Sequence, residues 1–196
     1  MKYHPHRFQT VERAPAWMTM GERVVLYGLI VGLRPACVLE VGTFQGGSTL
    51  IICAALDDLG SGNIICVDPE PRITPENMAA IEHRATVVAE PSPAALDAAL
   101  KAAQRPFDFA LVDGDHSFEG LVRDVEGILP ILADSAHLVF HDAHYYEVRE
   151  AIDSCLAAHP ELTDVGLVSV EVTPHDEPSE GPEIAWGGLR LLLYSR

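Results

Sequence analysis

Short apolar runs of β type alternate along this chain with longer segments of helical period, the pattern of a parallel sheet joined by crossover helices. The run Cys37-Val38-Leu39-Glu40-Val41-Gly42 reads as a first, buried strand, and Ile64-Ile65-Cys66-Val67 marks a second over 63–68. Further strands are predicted over 85–89, 107–112 and 137–140. Between them fall helices over 48–59, from Pro75, over 93–103 and over 145–158, the first closed by Gly60-Ser61-Gly62. Phe118, Leu121, Val122, Val125, Ile128, Leu129 and Leu132 lie at offsets 0, 3, 4, 7, 10, 11 and 14, which predicts one continuous helical face. Ahead of the first strand, Thr19-Met20-Gly21-Glu22 matches a capping box and predicts a cap helix.

The chain ends differently. Residues 165–172 and 189–194 read as strands, and the proline- and acid-rich stretch 174–182 between them leaves no room for a crossover helix. An antiparallel hairpin at the sheet edge is the economical reading, with the acidic segment 176–183 at its solvated tip or bordering the site. The expected fold is therefore α/β: a Rossmann-like, doubly wound sheet of seven strands, mostly parallel, with an antiparallel C-terminal hairpin strand. Residues 1–34 form an N-terminal segment with the cap helix, residues 35–196 carry the sheet, and 196 residues suit a single domain overall.

Charge narrows the function. Thirteen basic residues against 29 acidic ones leave a formal charge of −16, which weighs against a phosphate backbone or an anionic membrane surface as partner. No apolar stretch has the length of a membrane span, and the N-terminus lacks the apolar core of a secretory signal. The four cysteines are scattered in apolar surroundings, as buried thiols of a reducing compartment, so a cytoplasmic location is expected.

Two stretches carry chemistry. In an open parallel sheet, ligands sit beyond the carboxyl ends of the central strands. There the first strand runs into Glu40-Val41-Gly42-Thr43-Phe44-Gln45-Gly46-Gly47-Ser48. Phe44 stands where a dinucleotide fingerprint needs its second glycine, and no lysine follows Gly47 as a P-loop requires. Gly42 and Gly46 allow a tight turn and close backbone approach. Glu40 would offer a carboxylate to a cationic or ammonium-bearing ligand. Asp68, at the end of the second strand, can take both hydroxyls of a ribose.

The second stretch is Asp113-Gly114-Asp115-His116-Ser117 together with His141-Asp142-Ala143-His144, after strands expected to be neighbours. Asp113 and Asp142 suit a hard divalent cation such as Mg²⁺. His116, with its near-neutral titration, is the natural general base. Blander roles stay open: Asp115 with Ser117 as a helix cap, His141 as a backbone-bonded histidine, His144 with Tyr145 and Tyr146 as packing.

The pattern E-x-G-x-x-x-G-G-S resembles motif I of class I S-adenosylmethionine (SAM) methyltransferases. V-D-G-D-H-S followed by H-D-A resembles the methyltransferase-24 family, a small-molecule O-methyltransferase branch related to catechol and macrolide-sugar O-methyltransferases. The resemblance implies that SAM is held by Glu40, Gly42, Thr43, Phe44, Gly46 and Ser48 around the turn, with Asp68, Ser92 and Asp113 from later strands. It implies His116 as the base and Asp113 and Asp142 as metal ligands. Catechol-type enzymes follow the second aspartate with asparagine, whereas Ala143 stands here, so His141 would have to supply the third ligand. An imidazole there favours a borderline transition metal over Mg²⁺. The acceptor would be a small hydroxylated molecule, and the hairpin edge or cap helix is where a homodimer contact would form. Rival readings are a metal-dependent hydrolase or lyase on the Asp/His cluster and a non-catalytic SAM-binding accessory module.

Overall fold

A computed structural model describes residues 6–173 and 185–196. The acidic segment 176–183 expected at the hairpin tip lies outside the described residues. Seven strands run β1 (Cys37–Val41), β2 (Asn63–Val67), β3 (Ala85–Val88), β4 (Phe107–Val112), β5 (Leu132–Phe140), β6 (Leu162–Ser169) and β7 (Leu189–Ser195). They form one sheet in the order β3-β2-β1-β4-β5-β7-β6. β1 pairs in parallel with β2 on one side and β4 on the other, while β7 is antiparallel to both β5 and β6. The strand order reverses at β1, so a crevice opens between the carboxyl ends of β1 and β4.

Both faces of the central strands are covered, which is why they read as unbroken apolar runs instead of alternating ones. On one face Leu39, Val41, Phe107 and Val112 pack under α5 (Leu96–Ala103), α6 (Phe118–Ile128) and α7 (Tyr146–Ala158). On the other, Val38, Phe109, Leu111 and Val139 pack under α1 (His6–Arg13), α2 (Met20–Leu33), α3 (Gly47–Leu59) and α4 (Pro75–Ile81). The N-terminal segment thus belongs to the second core: α1 leans on α3 and contributes Val11, and α2 contributes Leu26 and Ile30.

Three elements depart from the periodic reading. The helix begun at Phe118 stops at Ile128, and Leu129–Ile131 form a 3₁₀ turn before Leu132 enters β5. Pro130 ends it, having no N–H to donate and a ring that clashes with the carbonyl four residues back. β5 consequently starts at Leu132, five residues earlier than its apolar core suggests, because Ser135 and Ala136 pair with β7. β6 covers Leu162–Ser169, so Val170 and Val172 lie past its end, where a single Thr173–Trp186 bridge continues the hairpin. α1 has no counterpart in the sequence reading.

The capping box of α2 is present in both directions: Glu22 N donates to Thr19 Oγ1 at 3.2 Å, and Thr19 N to Glu22 Oε2 at 2.7 Å. Glu22 is nevertheless fully buried, although a glutamate at this position ordinarily faces water.

Candidate active site

The glycine turn is shaped by contact between strand ends. Gly42 adopts φ +91°, and a β-carbon there would collide with the Asp113 carbonyl. Only glycine fits where β1 and β4 come this close. Gly46, at φ +77°, opens α3 as its N-cap. Between them the loop is held by Asp68: its Oδ2 accepts from Thr43 N at 2.9 Å and Phe44 N at 2.7 Å, and its Oδ1 from Glu70 N at 2.7 Å. Oδ2 already accepts twice and Oδ1 keeps one acceptor site, so the carboxylate expected to meet a ribose also sets the loop's shape. Phe44 itself takes a positive φ of 45°. Its ring lies edge-on to Trp17 and under the Arg72 guanidinium, each 5.6 Å away.

Glu40 is placed behind the loop, fully buried, accepting from Thr49 Oγ1 at 2.5 Å and Thr43 Oγ1 at 3.1 Å. Burial raises its pKa, against the pull of the Ser48 and Thr49 hydroxyls. The side chain braces the turn from inside, away from the cavity lining, through Oε2, while Oε1 has no hydrogen-bond partner. The carboxylate expected beside the cofactor is thus set behind the turn, below the cavity wall.

At the ends of β4 and β5 the two polar stretches meet. His141 Nδ1 lies 3.0 Å from Asp113 Oδ1 and 3.3 Å from Asp142 Oδ2. From the other side His116 Nε2 lies 2.9 Å from Asp142 Oδ2 and 3.5 Å from Asp113 Oδ1. Asp142 sits at φ +53°, and Gly187 N donates to its Oδ1 at 2.6 Å, so Oδ2 is left to the cluster. Buried Glu22 completes the group, its Oε1 accepting from Gly188 N at 2.5 Å and standing 3.7 Å from His141 Nε2. Burial opposes a proton on His116, but Asp113 and Asp142 outweigh it and push the imidazole up to about 9. His141 is driven well above the usual histidine range, against burial, chiefly by Asp113. Asp113 and Asp142 are held below the carboxylate range, the histidines overcoming the effect of burial.

This donor set fits a divalent cation. Asp113, His141 and Asp142 each offer one ligand atom, all within 4.8 Å of one another. A divalent ion would replace the two imidazolium protons charge for charge, leaving the buried group's total unchanged.

Glycine turn and Asp/His cluster open into a single cavity of about 1200 Å³. Thr43, Phe44, Ser48, Asp68, Ser92, Asp113, His116, His141 and Asp142 line it; Gly42 does too, while Gly46 acts through the backbone of the turn. Trp17 and Met18, from the segment before α2, form one wall. Trp186 forms another, stacked on Tyr145 at 4.3 Å and edge-on to His116 at 5.5 Å. Ser117 caps α6 through Gly120 N at 3.1 Å, and Asp115 Oδ1 accepts from Ser117 N at 2.9 Å, so those two serve the helix start.

Sequence reasoning missed three residues. Glu22 was visible only as a cap, and Trp186 fell in a stretch without period. Asp124 sits on α6 at 4% exposure, lines the cavity, and has its pKa raised by burial against the nearby Ser92 hydroxyl. An aspartate on the buried face of an amphipathic helix is the signal that would have found it.

The sequence profile of a methyltransferase domain, methyltransferase-24, matches residues 39–143, which run from the middle of β1 through the glycine turn and the first polar stretch to Ala143. The chain belongs to this methyltransferase family. No curated protein matches it. Among solved structures, the O-methyltransferase TomG from Streptomyces achromogenes, involved in tomaymycin synthesis and in complex with SAM, is 15% identical over 100% of this chain and 92% of its own, with TM-score 0.71. An O-methyltransferase from Bacillus cereus in complex with S-adenosylhomocysteine (SAH) is 16% identical over 98% and 92%, TM-score 0.67. The N-methyltransferase NodS from Bradyrhizobium japonicum, also with SAH, is 16% identical over 97% and 99%, TM-score 0.62. These likenesses show the shared fold. Among the described residues no helix is long and apolar enough to cross a membrane.

Proposed function

We propose that this protein transfers the methyl group of SAM to a hydroxyl of a small molecule, with His116 as general base and a divalent cation held by Asp113, His141 and Asp142. The observation that carries the reading is the single cavity lined by both the glycine turn with Asp68 and the Asp/His cluster. Its volume of about 1200 Å³ exceeds the roughly 300–1,000 Å³ that holds one ligand, so a nucleoside and an acceptor have room side by side. A SAM-binding accessory module needs no such second compartment. A metal-dependent hydrolase leaves the Gly42 turn and its clamp on Asp68 without a purpose.

The residues divide the work. Gly42 lets the turn lie flat against β4, Asp68 faces the nucleoside hydroxyls, and Ser92 with Asp124 offers polar groups at the α6 wall. SAM, when bound, supplies an electrophilic methyl on a sulfonium; a divalent cation, when bound, lowers the pKa of a coordinated hydroxyl and fixes its direction. His116 then accepts the acceptor's proton at Nε2. With its proton held up to about 9 by the two aspartates, His116 needs their charge committed elsewhere before it is free to accept. Trp17, Met18 and Trp186 keep water from the acceptor and hold it in line, and such placement supplies about 7–11 kcal/mol in favourable cases. An oxygen acceptor is preferred over nitrogen because paired carboxylates, an imidazole and a base are what a hydroxyl, not a neutral amine, needs to become a nucleophile.

The test is thermal unfolding of the purified protein with SAH, with NADH, and with Mn²⁺ before and after EDTA. Ligand at 100 times its Kd stabilises by about 2.7 kcal/mol, a shift of roughly 5–11 °C at this size. A shift with SAH and none with NADH is expected; a metal shift with no SAH shift would favour the hydrolase.

A further inference from the structure

We propose that Glu22, on the cap helix α2, is the positioning residue that commits His141 to bind a divalent cation through Nδ1, and that the resulting nitrogen-donor centre prefers ions such as Co²⁺ or Zn²⁺ to Mg²⁺. The inference rests on the metal-assisted reading above and deepens it.

A capping box uses one oxygen of its glutamate, here Oε2 on Thr19 N at 2.7 Å; the other oxygen ordinarily faces water. In this protein Glu22 is 0% exposed, and its Oε1 is fixed from the opposite side by Gly188 N at 2.5 Å. Two backbone amides, from α2 and from the start of β7, thus lock the carboxylate in place. A buried carboxylate is costly without a charge partner, and the group it faces is His141 Nε2, 3.7 Å away.

His141 is itself 4% exposed, and its Nε2 has no hydrogen-bond partner. A neutral imidazole carries one proton. Glu22 stands in front of Nε2, while Nδ1 faces Asp113 Oδ1 at 3.0 Å and Asp142 Oδ2 at 3.3 Å, so an ion that displaces the Nδ1 proton leaves the remaining one on Nε2, toward Glu22. Nδ1 and the two carboxylates then present their ligand atoms within 4.8 Å of one another, to a cation that takes the place of that proton. Carboxylate, imidazole and metal in series is the arrangement in which an outer carboxylate fixes a ligating histidine's tautomer and raises its basicity. Mg²⁺ favours oxygen ligands and retained waters, whereas imidazole suits the later transition ions.

The experiment uses the full chain. Calorimetric titration with CoCl₂ and with MgCl₂ measures the preference, and pulsed EPR of the Mn²⁺-loaded protein reads nitrogen coupling at the ion. Co²⁺ is expected to bind more tightly than Mg²⁺, with ¹⁴N coupling in the wild type. His141→Asn should lose that coupling and most of the preference. Glu22→Gln should weaken Co²⁺ binding by about 10- to 100-fold. Glutamine cannot accept from both backbone amides, so if that variant fails to fold, the wild-type spectrum and His141→Asn carry the test. Mn²⁺ bound without nitrogen coupling, or a folded Glu22→Gln protein with wild-type Co²⁺ affinity, overturns the inference while the metal-assisted reading stands. If SAH binds but no divalent ion does, the metal-assisted reading falls and takes this inference with it.

Discussion

At the β2 end of the cavity, Asp68 meets its backbone partners 25, 24 and 2 positions away in the chain. At the β7 end, Asp142 and Glu22 meet glycines 45 and 166 positions away. The first end is a strand-loop-helix turn that a short stretch of sequence builds by itself. The second exists only after the cap helix, β4, β5 and the terminal hairpin have assembled. On the proposed reading, chemistry at the distant end would depend on tertiary packing, and cofactor recognition at the near end on local backbone geometry. Substitutions should separate the two.

The largest separation is expected from His116→Ala. Loss of a general base costs about 10²–10⁴ in rate, whereas SAH affinity, set at the other end, should stay near the wild-type value. Single-turnover kinetics with radiolabelled SAM and calorimetry with SAH measure the two quantities. Loss of SAH binding along with turnover would mean that the two ends are not independent and that His116 has another role.

Gly46→Val should do the reverse. The residue sits at φ +77°, and an added β-carbon would press on Ile73 Cγ1 at 3.3 Å. A β-branched residue in that region costs about 1–3 kcal/mol, and relief by distorting the turn should weaken SAH binding by roughly 10- to 100-fold. Far-ultraviolet circular dichroism should be unchanged. Metal affinity, measured by calorimetry, should be retained; its loss would contradict the division.

The same contrast explains what was legible beforehand. The strands, the doubly covered sheet and the glycine turn follow from apolar runs and local punctuation, and the methyltransferase family from motifs contiguous in the chain. Asp113, His116, His141 and Asp142 were also readable, because adjacent parallel strands bring their carboxyl ends to one rim. Glu22 was not, since a capping glutamate and a buried one look alike until the hairpin that covers it is placed. Trp186 was hidden for the same reason: its stacking on Tyr145 is a pairing across separate elements. Glu40 differs in the opposite direction. A carboxylate beside a glycine turn suggests a ligand contact, but its position on β1 points it inward, to hydroxyls that the sequence does not mark as its partners.

A smaller effect should appear with pH in metal-free protein. Asp113 and Asp142 raise His116 from 6.5 to about 9 in the folded chain. A raised histidine stabilises fully below its unfolded pKa, and that contribution is lost as pH rises through the folded one. In EDTA, the thermal midpoint should therefore fall between pH 6.5 and pH 9 more steeply for the wild type than for His116→Asn. Saturating Co²⁺ should flatten the wild-type curve, because the ion takes over the aspartates. Parallel curves for the two proteins would show that His116 is not coupled to the aspartates as the structure places it.

The smallest expected effect tests whether the cap helix belongs to the distant end. Thr19 caps α2 and its hydroxyl also meets Glu171, so the start of the helix is tied to the hairpin as well as to its own backbone. Thr19→Ala should cost about 1 kcal/mol of stability, as for other lost N-caps, or roughly 2–4 °C in Tm. Glu22 would keep its own grip on Thr19 N and Gly188 N, because those contacts do not use the hydroxyl. Fraying of the first turn should then loosen the carboxylate only slightly, with SAH affinity unchanged and Co²⁺ affinity reduced by a small factor. Calorimetry on both ligands decides it: a drop in SAH affinity would place the cap helix with the glycine turn, and equal retention of both would show that the Thr19 hydroxyl serves helix stability alone.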